Sequence, residues 1–203
     1  LQGFTFDISG VCGYIRNSCA IVTRLDCIFA RARYARDIKA VMPVYSDDGV
    51  VDIIRGRHPL IDRKKVVPVS VKLGDEYSVI IISGPNTGGK TVTLKLCGLF
   101  ALMSACGLFL PCEEGSRMSY FSAVYSDIGD DQSIELALST FSSHVVNVAR
   151  ILKNADGKSL VLLDELGAGT DPAEGSALAV ACVEKLLEKG CRCIVTSHFD
   201  ELK

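Results

Sequence analysis

In YSVIIISGPNTGGKT, residues 77–91, a run of four β-branched residues (Val79–Ile82) passes almost directly into a glycine-rich turn and then into an apolar, helix-forming stretch. A strand with no polar face predicts a position buried on both sides of a parallel sheet. Parallel strands need crossover connections, usually helices, so this segment commits the chain to an α/β core. The turn itself, GPNTGGKT (84–91), satisfies G-x-x-x-x-G-K-[ST] at every fixed position and lies between strand and helix, the context that motif requires. Gly84, Gly88 and Gly89 let backbone N–H groups close around phosphate oxygens, and the helix N-terminus adds favourable partial charge. Lys90 is placed to reach β- and γ-phosphates, and the Thr91 hydroxyl to ligate Mg²⁺. Pro85, Asn86 and Thr87 complete the loop, and Val92 follows it on the helix. An incidental glycine turn would not need all of these at once.

A second segment carries a related puzzle. SLVLLDELGAGTDP (159–172) reads as a buried strand that ends on two adjacent carboxylates, Asp164 and Glu165. A buried carboxylate is costly unless a cation offsets it. Downstream of a phosphate-binding loop, Asp164 is expected to hold Mg²⁺ and Glu165 to orient and polarise an attacking water. Taken alone, the pair would read as two solvated acids at a strand end. Ser139 and Thr140 open a helical stretch, either as an N-cap or as donors to a phosphate. His198, after the strand CIVTS, is either a satisfied strand-end histidine or a γ-phosphate sensor.

The rest of the chain supports the α/β reading. FSAVYSDI (121–128) and CRCIVTS (191–197) have strand character, and STFSSHVVNVARILKNA (139–155) predicts a helix. DPAEGSALAVACVEKLLEKG predicts another, with Asp171 as N-cap, Pro172 at the first helical position and Gly190 as terminator. The apolar stretch 94–111 carries Lys95 and two glycines and is short for a membrane span, so a buried helix is expected there. Residues 18–40 place Ile21, Leu25, Ile28 and Phe29 at helical spacing, with arginines on the other positions. An amphipathic helix packed by its apolar face and ended by Pro43 follows. Residues 44–75 alternate short β-type runs with turns.

Composition narrows the function. The net charge of −2 gives no overall field for nucleic acid, although a local basic patch remains compatible with it. Nine cysteines without a CxxC pair, and three histidines far apart, argue against a zinc site and a disulfide framework. Reduced thiols in a cytoplasmic protein are the expectation.

Together, GPNTGGKT, DELGAGTD, STFSSH and TSH resemble the ATPase domain of the MutS family, in the ABC-type branch of P-loop NTPases. GAGTDPAEGSALA and DIGDDQSIELALSTFSSH are more similar to the bacterial type-two branch than to mismatch-repair members, and His144 stands where the latter usually have Glu. The resemblance implies a mainly parallel central sheet flanked by helices. It places the end of a helical lever at 1–43 and a C-terminally truncated ATPase domain at 44–203. It implies a homodimer with composite sites for ATP/ADP and Mg²⁺, in which Ser139 acts in trans on the γ-phosphate and His198 in cis. Gly167–Asp171 would form a turn across the interface, Gln132 would link the core to moving parts, and Val66 would contact adenine. RGRHPL (55–60) resembles the start of the family's ATPase domain. The implied partners are DNA and, in some members, rRNA on ribosomes, contacted mostly through regions outside this piece, with no membrane. A small nuclease domain usual in type-two members would lie beyond residue 203, so no nuclease chemistry is expected here. A transporter ATPase would carry an LSGGQ-type signature, which the sequence lacks. An ATP-gated dimerisation module with little turnover is the alternative function.

Overall fold

A computed structural model of the chain describes residues 2–84, 88–129 and 137–202, arranged as two compact units, 1–40 and 41–203. Pro85, Asn86, Thr87 and Gln132 lie outside the described residues.

The first unit is one helix, α1 (Gln2–Ile38). It begins sixteen residues before the periodic stretch at 18–40 and runs through Gly3, Gly10 and Gly13. It also ends before Pro43. Lys39 turns left-handed (φ 52°), and Ala40 N–H and Lys39 N–H bond to the Ala35 and Arg36 carbonyls, a Schellman closure that satisfies the last carbonyls. The expected packed apolar face is corrected too: Ile21, Leu25, Ile28 and Phe29 are all exposed. A single helix forms one layer and has no second layer within its own unit to bury against.

The second unit holds two four-stranded sheets. The strands are β1 (Val44–Ser46), β2 (Val51–Gly56), β3 (Val69–Leu73), β4 (Val79–Ile82), β5 (Arg117–Ser119), β6 (Ala123–Asp127), β7 (Ser159–Leu163) and β8 (Arg192–Thr196). One sheet is mixed, in order β1-β5-β2-β3, with β1 and β5 parallel and the β2 pairings antiparallel. The other is wholly parallel, in order β4-β8-β7-β6. Helices α2 (Lys90–Ala105), α3 (Ala137–Asn154) and α4 (Pro172–Glu188) supply the crossovers.

The central strands β7 and β8 are apolar over Leu160–Leu163 and Cys193–Val195 and almost entirely buried. Leu162 faces α2, where a Cβ added at Gly98 would come within 2.6 Å of its Cδ1. Val161 and Leu163, on the opposite face, join Ile151 of α3 and Ala179, Val183 and Leu186 of α4 in one cluster. Each Val, Leu or Ile among them, once buried, contributes about 1.5–3 kcal/mol. β4 departs from expectation. Its four residues are only half-buried, because it is an edge strand with β8 as its one neighbour. A β-branched run of this kind does not by itself mark a central position. The long apolar stretch also divides: α2 stops at Ala105, Gly107 turns left-handed, and Leu110 bridges back to Val41.

Candidate phosphate-binding site

The parallel order places β8 between β4 and β7. The exits of these three strands therefore lie side by side, and β8 delivers its residue between the other two. Lys90, the first residue of α2, follows β4 through the glycine turn; His198 follows β8; Asp164 and Glu165 follow β7. Lys90 Nζ lies 3.2 Å from His198 Nε2, and that nitrogen lies 3.9 Å from Glu165 Oε1. Three residues from distant parts of the sequence thus form one line.

Lys90 is 4% exposed, and its ammonium donates to the Gly84 carbonyl as well as to His198. Neither described partner is an anion. Gly89 caps α2 with left-handed backbone (φ 80°, ψ 17°) and no side-chain bond, so the first N–H groups of the helix receive no side-chain acceptor there. A Cβ added at Gly88 would meet nothing within 4 Å among the described residues, so the fold's own packing does not require glycine there. Thr91 is half-buried and Val92 exposed on the next positions.

Asp164 is 8% exposed and is oriented by a residue that sequence reading missed. The buried Thr196 hydroxyl donates to Asp164 Oδ1 and accepts from Glu165 N–H at 2.8 Å. Glu165 itself sits in the left-handed region (φ 48°), a conformation that costs a non-glycine residue about 1–3 kcal/mol. The turn beyond it is pressed against α4: a Cβ added at Gly175 would stand 2.2 Å from the Gly167 carbonyl oxygen. Only glycine permits that approach. Asp171 caps α4 as expected, accepting from Ala173 N–H and Glu174 N–H, and Pro172 takes the first helical position. Gly190 turns left-handed just past the helix end.

α3 is described from Ala137 onward, so Ser139 and Thr140 lie within the helix instead of capping it. The Ser139 side chain lies outside the described residues. Further along α3, His144 Nδ1 meets Asp127 Oδ2 at 2.9 Å, and Asn147 Nδ2 donates to Asp127 Oδ1 at 2.8 Å. Neither Asp127 nor Asn147 carried a sequence signal, because their partners come from another element. A cavity of about 350 Å³ opens between α3 and α4, lined by Val145, Val148, Leu152 and Leu178 with Asp164 and Glu165 at one end. None of the described residues of 84–91 lines it. Val66 is half-buried in the β2–β3 connection, where its N–H bonds to the Asp62 carbonyl. Among the described residues, no group of three or more His, Cys, Asp or Glu is placed to hold a metal, and no helix is long and apolar enough to cross a membrane.

The family model described as MutS domain V, an ATPase domain of the ABC-type P-loop fold, matches residues 80–203, more than half of the chain. Relatives named Endonuclease MutS2 are similar over nearly its whole length. Those of Clostridium botulinum (strain Loch Maree / Type A3) and Clostridium acetobutylicum are 56% and 55% identical over 189 residues, 93% of this chain and 24% of theirs. That of Geobacillus sp. (strain WCH70) is 55% identical over 183 residues, 90% of this chain and 23% of its own. The chain spans about a quarter of the length of these curated relatives.

Proposed function

The chain belongs to the MutS family, and from that premise we propose that it is an Mg²⁺-dependent ATP hydrolase driving a larger nucleic-acid clamp. The observation that carries the reading is Lys90, a buried ammonium at a helix N-terminus whose described partners are a carbonyl and a ring nitrogen. A buried cation without an anion suits a site that receives one. The open space at Gly88 and the uncapped start of α2 fit a polyphosphate.

In this reading Gly84–Thr91 enclose the β- and γ-phosphates and Lys90 pairs with their oxygens. Thr91 and Asp164 would hold Mg²⁺, a hydroxyl and a carboxylate being the hard oxygen donors that ion takes alongside water and phosphate. The bound ion would supply charge neutralisation at the β,γ-bridge. Glu165 accepts a hydrogen bond from water and directs its lone pair at the γ-phosphorus as the bond to ADP breaks. Thr196 keeps Asp164 and the Glu165 backbone in fixed relation. His198, between Lys90 and Glu165, contacts the γ-phosphate in cis.

The site is completed by a second copy. Ser139, on α3, acts in trans, and the turn Gly167–Asp171 meets the partner. Exposure of Ala168, Gly169 and Asp171–Glu174 supports a contact surface there. Val66 is assigned to the adenine, and 1–43 to the end of the lever. DNA, with rRNA on ribosomes as a second partner, would be gripped mostly by regions outside this piece, in the cytoplasm.

Turnover per chain, measured across a wide range of protein concentration beside Glu165→Gln, tests this. Specific activity that rises with concentration and is lost in the variant is expected. Turnover flat with concentration and equal in both would leave an ATP-gated dimerisation module as the function.

A further inference from the structure

Asp127, the last residue of β6, is 8% exposed and has no part in the site as derived so far. Its contacts run in two directions. The side chain receives His144 Nδ1 at Oδ2 (2.9 Å) and Asn147 Nδ2 at Oδ1 (2.8 Å). His144 and Asn147 are three residues apart, hence on one face of α3. Asn147 Nδ2 also reaches the Ser126 carbonyl at 3.1 Å. The main-chain carbonyl of Asp127 accepts from the Asp164 N–H at 2.8 Å, the last rung beyond the β6–β7 ladder. One residue therefore bonds both the helix that carries Ser139 and the backbone of the acid at the end of β7.

We propose that Asp127 is a positioning residue, the buried joint that holds α3 in register with Asp164, with His144 and Asn147 as its two donors. The inference rests on the nucleotide-site reading above. A carboxylate this buried must keep its donors, so α3 cannot turn or slide on β6 without leaving both of its oxygens unpaired. His144 lies five residues after Ser139, about 7.5 Å along the helix axis, so the joint fixes the part of α3 that carries Ser139. An apolar contact at the same place would leave the helix free to rotate, whereas two donors on two different oxygens fix rotation as well as distance.

The test uses the 203-residue chain and the double variant His144→Ala/Asn147→Ala. Both side chains are half-buried, and neither belongs to the apolar cluster beneath α3. Hydrogen exchange of the amides of 137–147 should accelerate at least tenfold, with β7 and β8 unchanged. Affinity for a fluorescent ATP analogue should stay within twofold of the parent, while kcat falls at least tenfold at unaltered KM. His144→Asn, whose amide nitrogen can take the place of Nδ1, should restore most of both effects when Asn147 is kept. Unchanged exchange at 137–147 would overturn the joint whatever the turnover. Faster exchange with unchanged kcat would overturn its positioning role. Failure of the nucleotide reading is distinguishable: the parent chain and Lys90→Ala would then bind the analogue equally poorly, while the exchange measurement still decides whether Asp127 holds α3.

Discussion

The two sheets of the second unit treat charge in opposite ways. In the mixed sheet, Asp48 sits in an exposed turn and is saturated. Its Oδ1 accepts from the Ser46 and Ser119 hydroxyls and the Val50 N–H, and Oδ2 pairs with Arg117 at 2.8 Å. Arg117 also approaches Asp75, at 3.8 Å. At the parallel sheet, Asp164 is buried and takes one described side-chain bond, from Thr196, while Lys90 is buried with no described anion. Asp48 is paired at the surface, where pairing matters least, whereas Lys90 and Asp164 are left under-paired among the described residues in the interior, where it matters most. A fold tolerates that only where something else completes the site. Arg192 joins the two regions, donating from β8 to the Gly49 and Asp48 carbonyls and to Ser78 Oγ.

Breaking the shape of the under-paired region should have the largest effect on stability. Gly175→Ala forces a methyl into the Gly167 carbonyl, and we expect a loss of about 1–3 kcal/mol in denaturant unfolding together with displaced Glu165 chemistry. An alanine tolerated at no cost would mean that the turn is loosely held and the Glu165 conformation incidental.

The saturated region should show itself in acid. Hydrogen bonds from Ser46 first, then from Val50 and Ser119, with Arg117 adding charge, lower the Asp48 carboxyl from 3.8 to about 2. A carboxyl depressed on folding favours the folded state above its unfolded value, and that contribution is lost as pH falls from about 4 through about 2. Asp48→Asn should therefore flatten the stability profile in that window and leave it parallel to the parent near neutrality. An unchanged acid limb would show that these bonds do not depend on the charge.

The smallest effect sharpens the contrast from a neutral side. Burial pushes the Cys97 thiol up to about 12 and raises Cys193 further. Both should resist alkylation in the native chain at pH 8, while exposed Cys19, Cys27 and Cys106 react at once. Rapid labelling of Cys97 or Cys193, read by mass spectrometry, would show that the core around them opens.

How much of this was legible follows from range. The strands at 123–127, 159–163 and 192–196 and the capped helix at 172–188 are encoded by local runs and by Asp171, Pro172 and Gly190, so sequence alone predicts them. The glycine turn and the acid pair are equally local. That β4 is an edge, that Thr196 sets Asp164, and that Asp127 binds His144 and Asn147 are consequences of strand order and crossover packing. None has a periodicity of its own. The early start of α1 was hidden by glycines at 3, 10 and 13, each of which lowers helix propensity by about 1 kcal/mol without forbidding the helix.

The direct test of under-pairing is a calorimetric titration of Mg-ATP into the parent chain and Lys90→Met, with thermal unfolding of both in the absence of nucleotide. Methionine fills similar volume and removes the buried charge together with its bonds to the Gly84 carbonyl and His198. Affinity weakened by about 100-fold is expected, with an unliganded Tm equal to the parent's or above it. Equal affinity in the two chains, or a Tm that falls as for a core deletion, would mean that Lys90 is a structural lysine and not one held in reserve for phosphate.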